Sequence, residues 1–421
     1  MTGTGPEDGP NERRPGVGQR ISNKSRSRIR LAALLGGVAL VATALAAYQH
    51  YSGPRYAWRQ AIRDPDRKAR EATWTRLQRD KEIRGLDTEA TAREVIAALG
   101  DPNPETRRLA VATLPSLELD PARAISALAA LLLDATVEVR ASAASALGEA
   151  VRRDKPGREP ALGTLEFALK DASPLVRRAA AAAVGQVVYE SGSAVDPLRS
   201  GRADDPALGP VAKLLSDPVA AVKVEAAYVL ACNGRGGDAV PMLAALVDAQ
   251  PADKPLDRVA DRAFLALMVL ATHSDGAADF LRAELSKPRE GNPERPREAL
   301  AWAARQSGEA RARVRRVAEK ALDPARPSTR HTAALLLHQI GSDQAALPVL
   351  IEALGDPSAE VRGQAVEALA DLGDVDPMIV PALELASHDA RVEVRERALA
   401  ALEAIEWDEI LNDTGMETAA P

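Results

Sequence analysis

The chain has 421 residues, with 54 Lys and Arg against 60 Asp and Glu and a formal net charge of −6. That balance is too mild for polyanion binding driven by the charge of the whole molecule, and the single cysteine, Cys232, excludes an intramolecular disulfide or a multi-cysteine metal site. Aromatic residues make up only 3%, too few for one thick globular core, whereas Ala and Leu suit thin layers between stacked helices.

Residues 1–30 are rich in Gly, Pro, Ser and charge without an apolar period, which predicts a disordered tail. Leu31–Tyr48 then runs eighteen residues without a charge. At the helical rise that is about 27 Å, enough for a bilayer core, and it predicts a transmembrane signal anchor. Seven basic residues in 11–30 against five in 50–69 favour a cytoplasmic N-terminus and a solenoid outside the cytoplasm. Ala44-Leu45-Ala46 also suits a signal peptidase, so a secreted form cleaved near Ala46 is the alternative. Residues 49–97 form a charged juxtamembrane helical region and first capping unit. In it, Trp58 and Trp74 are interfacial anchors, or Trp74 packs the first unit.

From residue 98 to 405 one pattern recurs. Its clearest copy opens with Asp356-Pro357 and continues with Val361, Arg362, Ala365, Ala368, Leu369 and Leu372. The spacings of three and four trace one apolar stripe on a helix. The Asp is placed to accept a backbone N–H at the helix start, and the Pro to occupy the first helical position. A shorter stripe, Leu347–Leu354, precedes it, so a helix pair makes one unit. Asp101, Asp134, Asp171, Asp217, Asp323 and Asp389 lead further copies, with Asp64 a weak one. The 325 residues from Asp64 to Asp389 divide into nine intervals averaging about 36, a helical-solenoid period. Two units without the motif then fall near Asp253–Leu267 and Pro288–Ala304. Residues 406–421 form an acidic tail.

The Asp-Pro, Val-Arg and Ala-x-x-Ala-Leu residues of Asp356–Leu369 resemble the HEAT repeat family, in its phycobilisome-lyase-like subtype. The resemblance implies an all-α, right-handed superhelix of the HEAT/armadillo kind, with second helices lining the concave face. It also implies a structural ladder in which the Asp and Arg of neighbouring units are hydrogen-bonded. Carried over, that ladder takes in Asp101, Arg107, Asp134, Arg140, Asp171, Arg177, Asp217, Lys223, Asp356, Arg362, Asp389 and Arg395. Lys223 departs from the pattern, keeping the charge but losing the bidentate fork.

On that face, positions four, seven, eight and eleven after each Asp point away from the core stripe. They are acidic in the two C-terminal units and apolar in the middle, where Leu175, Ala179, Val224 and Tyr228 form a candidate protein-docking patch. Small side chains that let the helices curve are the other reading of that patch. The insertion at 189–209, which lengthens the Asp171–Asp217 interval to 46, is a surface loop or part of a binding face.

Asn233–Asp238 is glycine-rich but lacks the strand and Lys-Ser of a phosphate loop, so it reads as a turn. Arg311, Arg313, Arg315, Arg316 and Lys320 form the one basic cluster to be weighed for acidic partners or nucleic acid, and Glu309 and Glu319 flank it, as on a solvated face. His331 and His338, seven apart, lack metal-ligand spacing. The expectation is a membrane-anchored, non-enzymatic scaffold for unidentified protein partners, without cofactor, catalytic residues or metal. The alternatives are a lyase or chaperone-like protein related to bilin lyases, and a nucleic-acid binder like the HEAT-like base-repair glycosylases.

Overall fold

The computed structural model describes residues 62, 64–79, 88–117, 119–152, 157–188, 204–250, 257–287, 294–373 and 376–414. The chain divides into two compact units at Arg79/Asp80. In the first, helix α1 (Arg67–Arg79) holds a fully buried Trp74 whose Nε1–H donates to the Ile62 carbonyl at 3.1 Å. The Trp74 indole is thus a packed side chain. Arg70 donates from Nη1 to the Asp64 carbonyl at 2.5 Å.

The second unit is all-helical, with no strand among the described residues, and its helices fall into nine pairs. The first four pairs are α2 (Thr88–Ala98) with α3 (Pro104–Thr113), α4 (Pro121–Leu131) with α5 (Val137–Arg152), α6 (Arg158–Ala168) with α7 (Pro174–Val188), and α8 (Leu208–Lys213) with α9 (Ala220–Cys232). Three further pairs follow: α10 (Val240–Asp248) with α11 (Arg258–Leu270), α12 (Asp275–Glu284) with α13 (Arg295–Gln306), and α14 (Gly308–Glu319) with α15 (Pro327–Gln339). The last two are α16 (Asp343–Ala353) with α17 (Ala359–Leu372) and α18 (Ile379–Ala386) with α19 (Val392–Thr414). The two stretches where the motif fades therefore hold α11 and α13. The final helix runs to Thr414, well past Glu406, where the apolar pattern stops.

Each second helix packs on the second helix of the next pair, and the first helices lie against them as another layer. The core is the seam between layers. Val139, Ala143, Ala146 and Leu147 of α5 are at most 3% exposed, as are Val176, Ala180, Ala183 and Val184 of α7. Small residues set the spacing. A Cβ on Gly148 would lie 2.9 Å from the Ala183 Cα, so α5 and α7 touch backbone to backbone.

The opening of the unit differs from the sequence expectation. Asp134 accepts the N–H of Thr136 at 2.8 Å, and Asp171, Asp217, Asp356 and Asp389 each do the same two residues on. The Asp therefore closes an Asx-type turn ahead of the helix instead of capping it. Pro102 and Pro357 lie in that turn, because helices α3 and α17 begin only at Pro104 and Ala359. Pro suits both places, since its fixed φ fits a turn as well as a first helical position. A true helix cap occurs where the motif is missing: Asp257 accepts the N–H groups of Val259 and Ala260 at 2.9 and 2.8 Å.

Candidate interaction surface on the second-helix layer

The side chains that brace the second-helix layer decide which part of it can be presented to a partner. Arg107 donates from Nε and Nη2 to the Asp134 carboxylate at 2.7 and 2.9 Å, while its Nη1 donates to the Asp101 carbonyl at 2.9 Å. Arg140 holds Asp171 in the same way, at 2.8 and 3.0 Å, Arg177 holds Asp217 at 2.7 and 2.9 Å, and Arg362 holds Asp389 at 2.6 and 2.8 Å. One guanidinium thus ties its own turn to the carboxylate of the next unit. The planar fork matches the carboxylate, which is why Arg stands there. These hydrogen bonds hold the Asp134, Asp171 and Asp217 carboxyls below their usual range despite burial, and bring Asp389 to about 2.

Between Asp217 and Asp356 the rungs change. Lys223 forms no ion pair among the described residues, and Arg330 turns to Glu352 instead of Asp356. Other ties replace them. Arg262 on α11 reaches back to Glu225 on α9 at 2.7 Å and lies 3.6 Å over the Tyr228 ring. Arg295 on α13 reaches back to Asp261 at 2.7 Å and lies 4.4 Å over Phe264. Arg313 is buried and joins Asp275 at 2.7 Å to the Thr272 carbonyl at 2.5 Å.

The four residues of the apolar patch separate in the structure. Leu175 is 38% exposed, and Ala179 is half-buried beside it on α7. Val224 is 1% exposed and belongs to the core between α9 and α11, so it is corrected here from a surface residue to a core residue. The reason is that α9 is apolar nearly all round and is packed on both sides, by α7 and by α11. Tyr228 is half-buried under Arg262, and burial pushes its hydroxyl up to about 12. The surface left is Leu175, Ala179, the exposed Arg178 and the edge of Tyr228. Farther along, Glu360, Glu367, Glu393 and Glu396 are exposed on α17 and α19, giving that end an acidic surface.

Other candidates reduce to structural roles. Cys232 is half-buried, and burial pushes its thiol up to about 11. Gly234 and Gly236 have φ of 71° and 92° in the turn between α9 and α10, where a Cβ on Gly236 would press on Leu230 at 3.2 Å. In the basic cluster Arg313 is buried, Arg315 pairs with Glu319 at 2.8 Å, and Arg316 lies 3.7 Å from Asp275. His331 is buried against Gln364 at 3.2 Å, whereas His338 meets Asp343 at 2.9 Å, so the two imidazoles have separate partners. Among the described residues no group of His, Cys, Asp and Glu could hold a metal. A cavity of about 270 Å³ lies between α6 and α8, and Arg158 and the buried Asp205, which form an ion pair, are part of its lining. The Asp205 contact and the reach of Arg262 and Arg313 had no sequence signal, because none of them sits at a repeating offset.

No curated protein matches the chain. Among solved structures it is similar to the karyopherin Kap121p bound to the extreme C-terminus of the protein phosphatase Cdc14p. That match has 14% identity and a TM-score of 0.56, and covers 91% of this chain and 46% of that one. It is also similar to Kap95p in a structure with RanGDP, with 12% identity and a TM-score of 0.50, covering 84% and 50%. The chain spans about half the length of each. Residues 314–403 match the model of the HEAT repeats family. Among its described residues the chain is therefore all-helical and solenoid-like, with a fold resembling that of these karyopherins, and residues 314–403 carry the match to HEAT repeats.

Proposed function

We propose that the protein is a non-enzymatic scaffold that binds protein partners along its second-helix layer and is anchored to a membrane by Leu31–Tyr48. The observation that carries the binding reading is the stretch over α7 and α9. There the layer is braced by the Arg140–Asp171 and Arg177–Asp217 rungs while Leu175, Ala179 and Arg178 stay at the surface. A rigid backing under an exposed apolar residue favours docking, since little ordering entropy is lost when a partner binds. Kap121p, whose fold is similar, is bound to a protein C-terminus, which agrees with this reading.

The anchor rests on the uncharged run alone. Leu31–Tyr48 lies outside the described residues, and among those described no helix is long and apolar enough to cross a membrane. The basic excess before the run favours a cytoplasmic N-terminus, with the solenoid outside the cytoplasm. The test is affinity capture of the full chain from detergent-solubilised membranes, wild type beside Leu175→Asp with Ala179→Asp. Loss of one and the same partner from the double variant is expected, and an unchanged partner set would sink the reading. N-terminal sequencing of the mature protein separates an anchor from a leader cleaved near Ala46.

A further inference from the structure

The last rung among the described residues is open. Arg395 donates from Nη1 to the Asp389 and Ala390 carbonyls at 2.7 and 3.1 Å, the same grip on its own turn that Arg107, Arg140, Arg177 and Arg362 make. In those four, Nε and Nη2 hold the carboxylate of the next unit. On Arg395 these two donors have no partner among the described residues, and the fork is already oriented by its Nη1 bonds.

A second observation on the same face is independent of charge. The position ten residues after the motif Asp is Val111, Ala144, Ala181, Ala227 and Val366 in earlier units, and each is 0% exposed where a further described unit follows. In the last unit it is Leu399, which is 50% exposed, with Val392 at 49% near by on the same helix. A unit that caps a solenoid normally turns a polar face outward. This one combines exposed Leu and Val with a waiting guanidinium fork, so it is built to be covered by something that carries a carboxylate.

We propose that the occupant is a second copy of this chain, α19 packing antiparallel on α19 around a two-fold axis at Leu399. The sequence of α19 fits that symmetry. Arg395 lies four residues before Leu399 and Glu403 four after, so an antiparallel copy brings Glu403 opposite Arg395, with Glu406 one turn away. Both glutamates are exposed. Leu399 meets Leu399, Leu402 lies beside it, and each of the two open forks gains a carboxylate. Such an interface is isologous and closes on itself, giving a dimer and not a filament.

The test uses the full-length protein in detergent. Sedimentation equilibrium is expected to report a dimer. Leu399→Asp and Arg395→Glu should each weaken it at least 100-fold, with the circular-dichroism melt of Leu399→Asp unchanged because Leu399 is 50% exposed. Arg395→Glu combined with Glu403→Arg and Glu406→Arg should restore it. Leu399→Cys should form a disulfide-linked dimer on mild oxidation, while the half-buried Cys232 gives none in the wild type. A monomer at all concentrations, a dimer indifferent to Leu399→Asp, or a Leu399→Cys that stays uncrosslinked would overturn the proposal. A heterologous partner on this face would leave Leu399→Cys uncrosslinked to itself. None of these results depends on capturing a partner at Leu175, so the two readings fail separately.

Discussion

Helices α3 to α9 and helices α11 to α15 solve one problem in two ways. Both must hold consecutive second helices side by side. The first block uses a repeating device, one Arg fork per unit on the next unit's Asp, together with backbone contact at Gly148 and a Val229 side chain seated against Gly185. The second block has no such rungs among its described residues. Its ties are individual: Arg262 to Glu225 and Tyr228, Arg295 to Asp261 and Phe264, and Arg313 to Asp275. Its second helices also approach one another less closely, and successive helices carry more of the packing. A periodic ladder fixes the same relation between every pair of units, whereas single ties let each junction differ. The regular block is thus the more uniform of the two, and Leu175 lies on it.

The largest expected effect is Val224→Asp at the boundary of the blocks. A carboxylate placed at a 1% exposed site beside α11 should cost about 4 kcal/mol, seen as a lowered urea midpoint. If Val224 instead behaves like Leu175→Asp, stable but impaired in binding, its core assignment is wrong. Next comes Arg140→Met, which leaves Asp171 unpaired at 11% side-chain exposure. It should cost about 3 kcal/mol and speed amide exchange in α5 and α7. The matching change in the second block, Arg330→Met, removes a contact to a Glu352 side chain that is 63% exposed, and about 1 kcal/mol or less is expected.

Acid should then separate the blocks by pH. The rung carboxyls have folded values below the unfolded value near 3.9, so their stabilisation is complete above about pH 4. It is lost as pH falls toward the folded value, which for Asp389 is about 2. His273 and His331 are held below the ordinary imidazole value by burial. Their neutral forms are favoured by the fold, so the stability they carry is present above about pH 6.5 and declines as pH falls through it. Amide exchange between about pH 7 and pH 3, taken relative to the intrinsic rate at each pH, should therefore rise first around His273 and His331, and rise in α5 and α7 only below about pH 4. A simultaneous rise would contradict the division. The smallest effect is Arg311→Ser on the exposed face of α14, expected within about 0.5 kcal/mol and without influence on salt-dependent DNA binding.

Much of this was legible in the sequence because a repeat states its rule many times. The offsets from Asp134 to Val139, Arg140, Ala143 and Leu147 mark a turn, a tie and a buried stripe, and they recur at Asp171, Asp217, Asp356 and Asp389. What occurs once could not be read this way. Val224 carries the same offset as the exposed Arg178 and Glu396, and nothing local shows that α11 lies against it. The hand-over from Arg–Asp rungs to Arg262 and Arg295 is equally silent, because it depends on which charges face each other across 37 or 34 residues.

The chain by itself determined the helix pairs, their period and their turns, since apolar spacing and turn chemistry act within a few residues. Only the tertiary structure decided which outward positions stay outward, which Asp each Arg reaches, and which fork is left unfilled among the described residues. Those depend on the distance between neighbouring units, and that distance follows from side-chain size at contacts far apart in sequence.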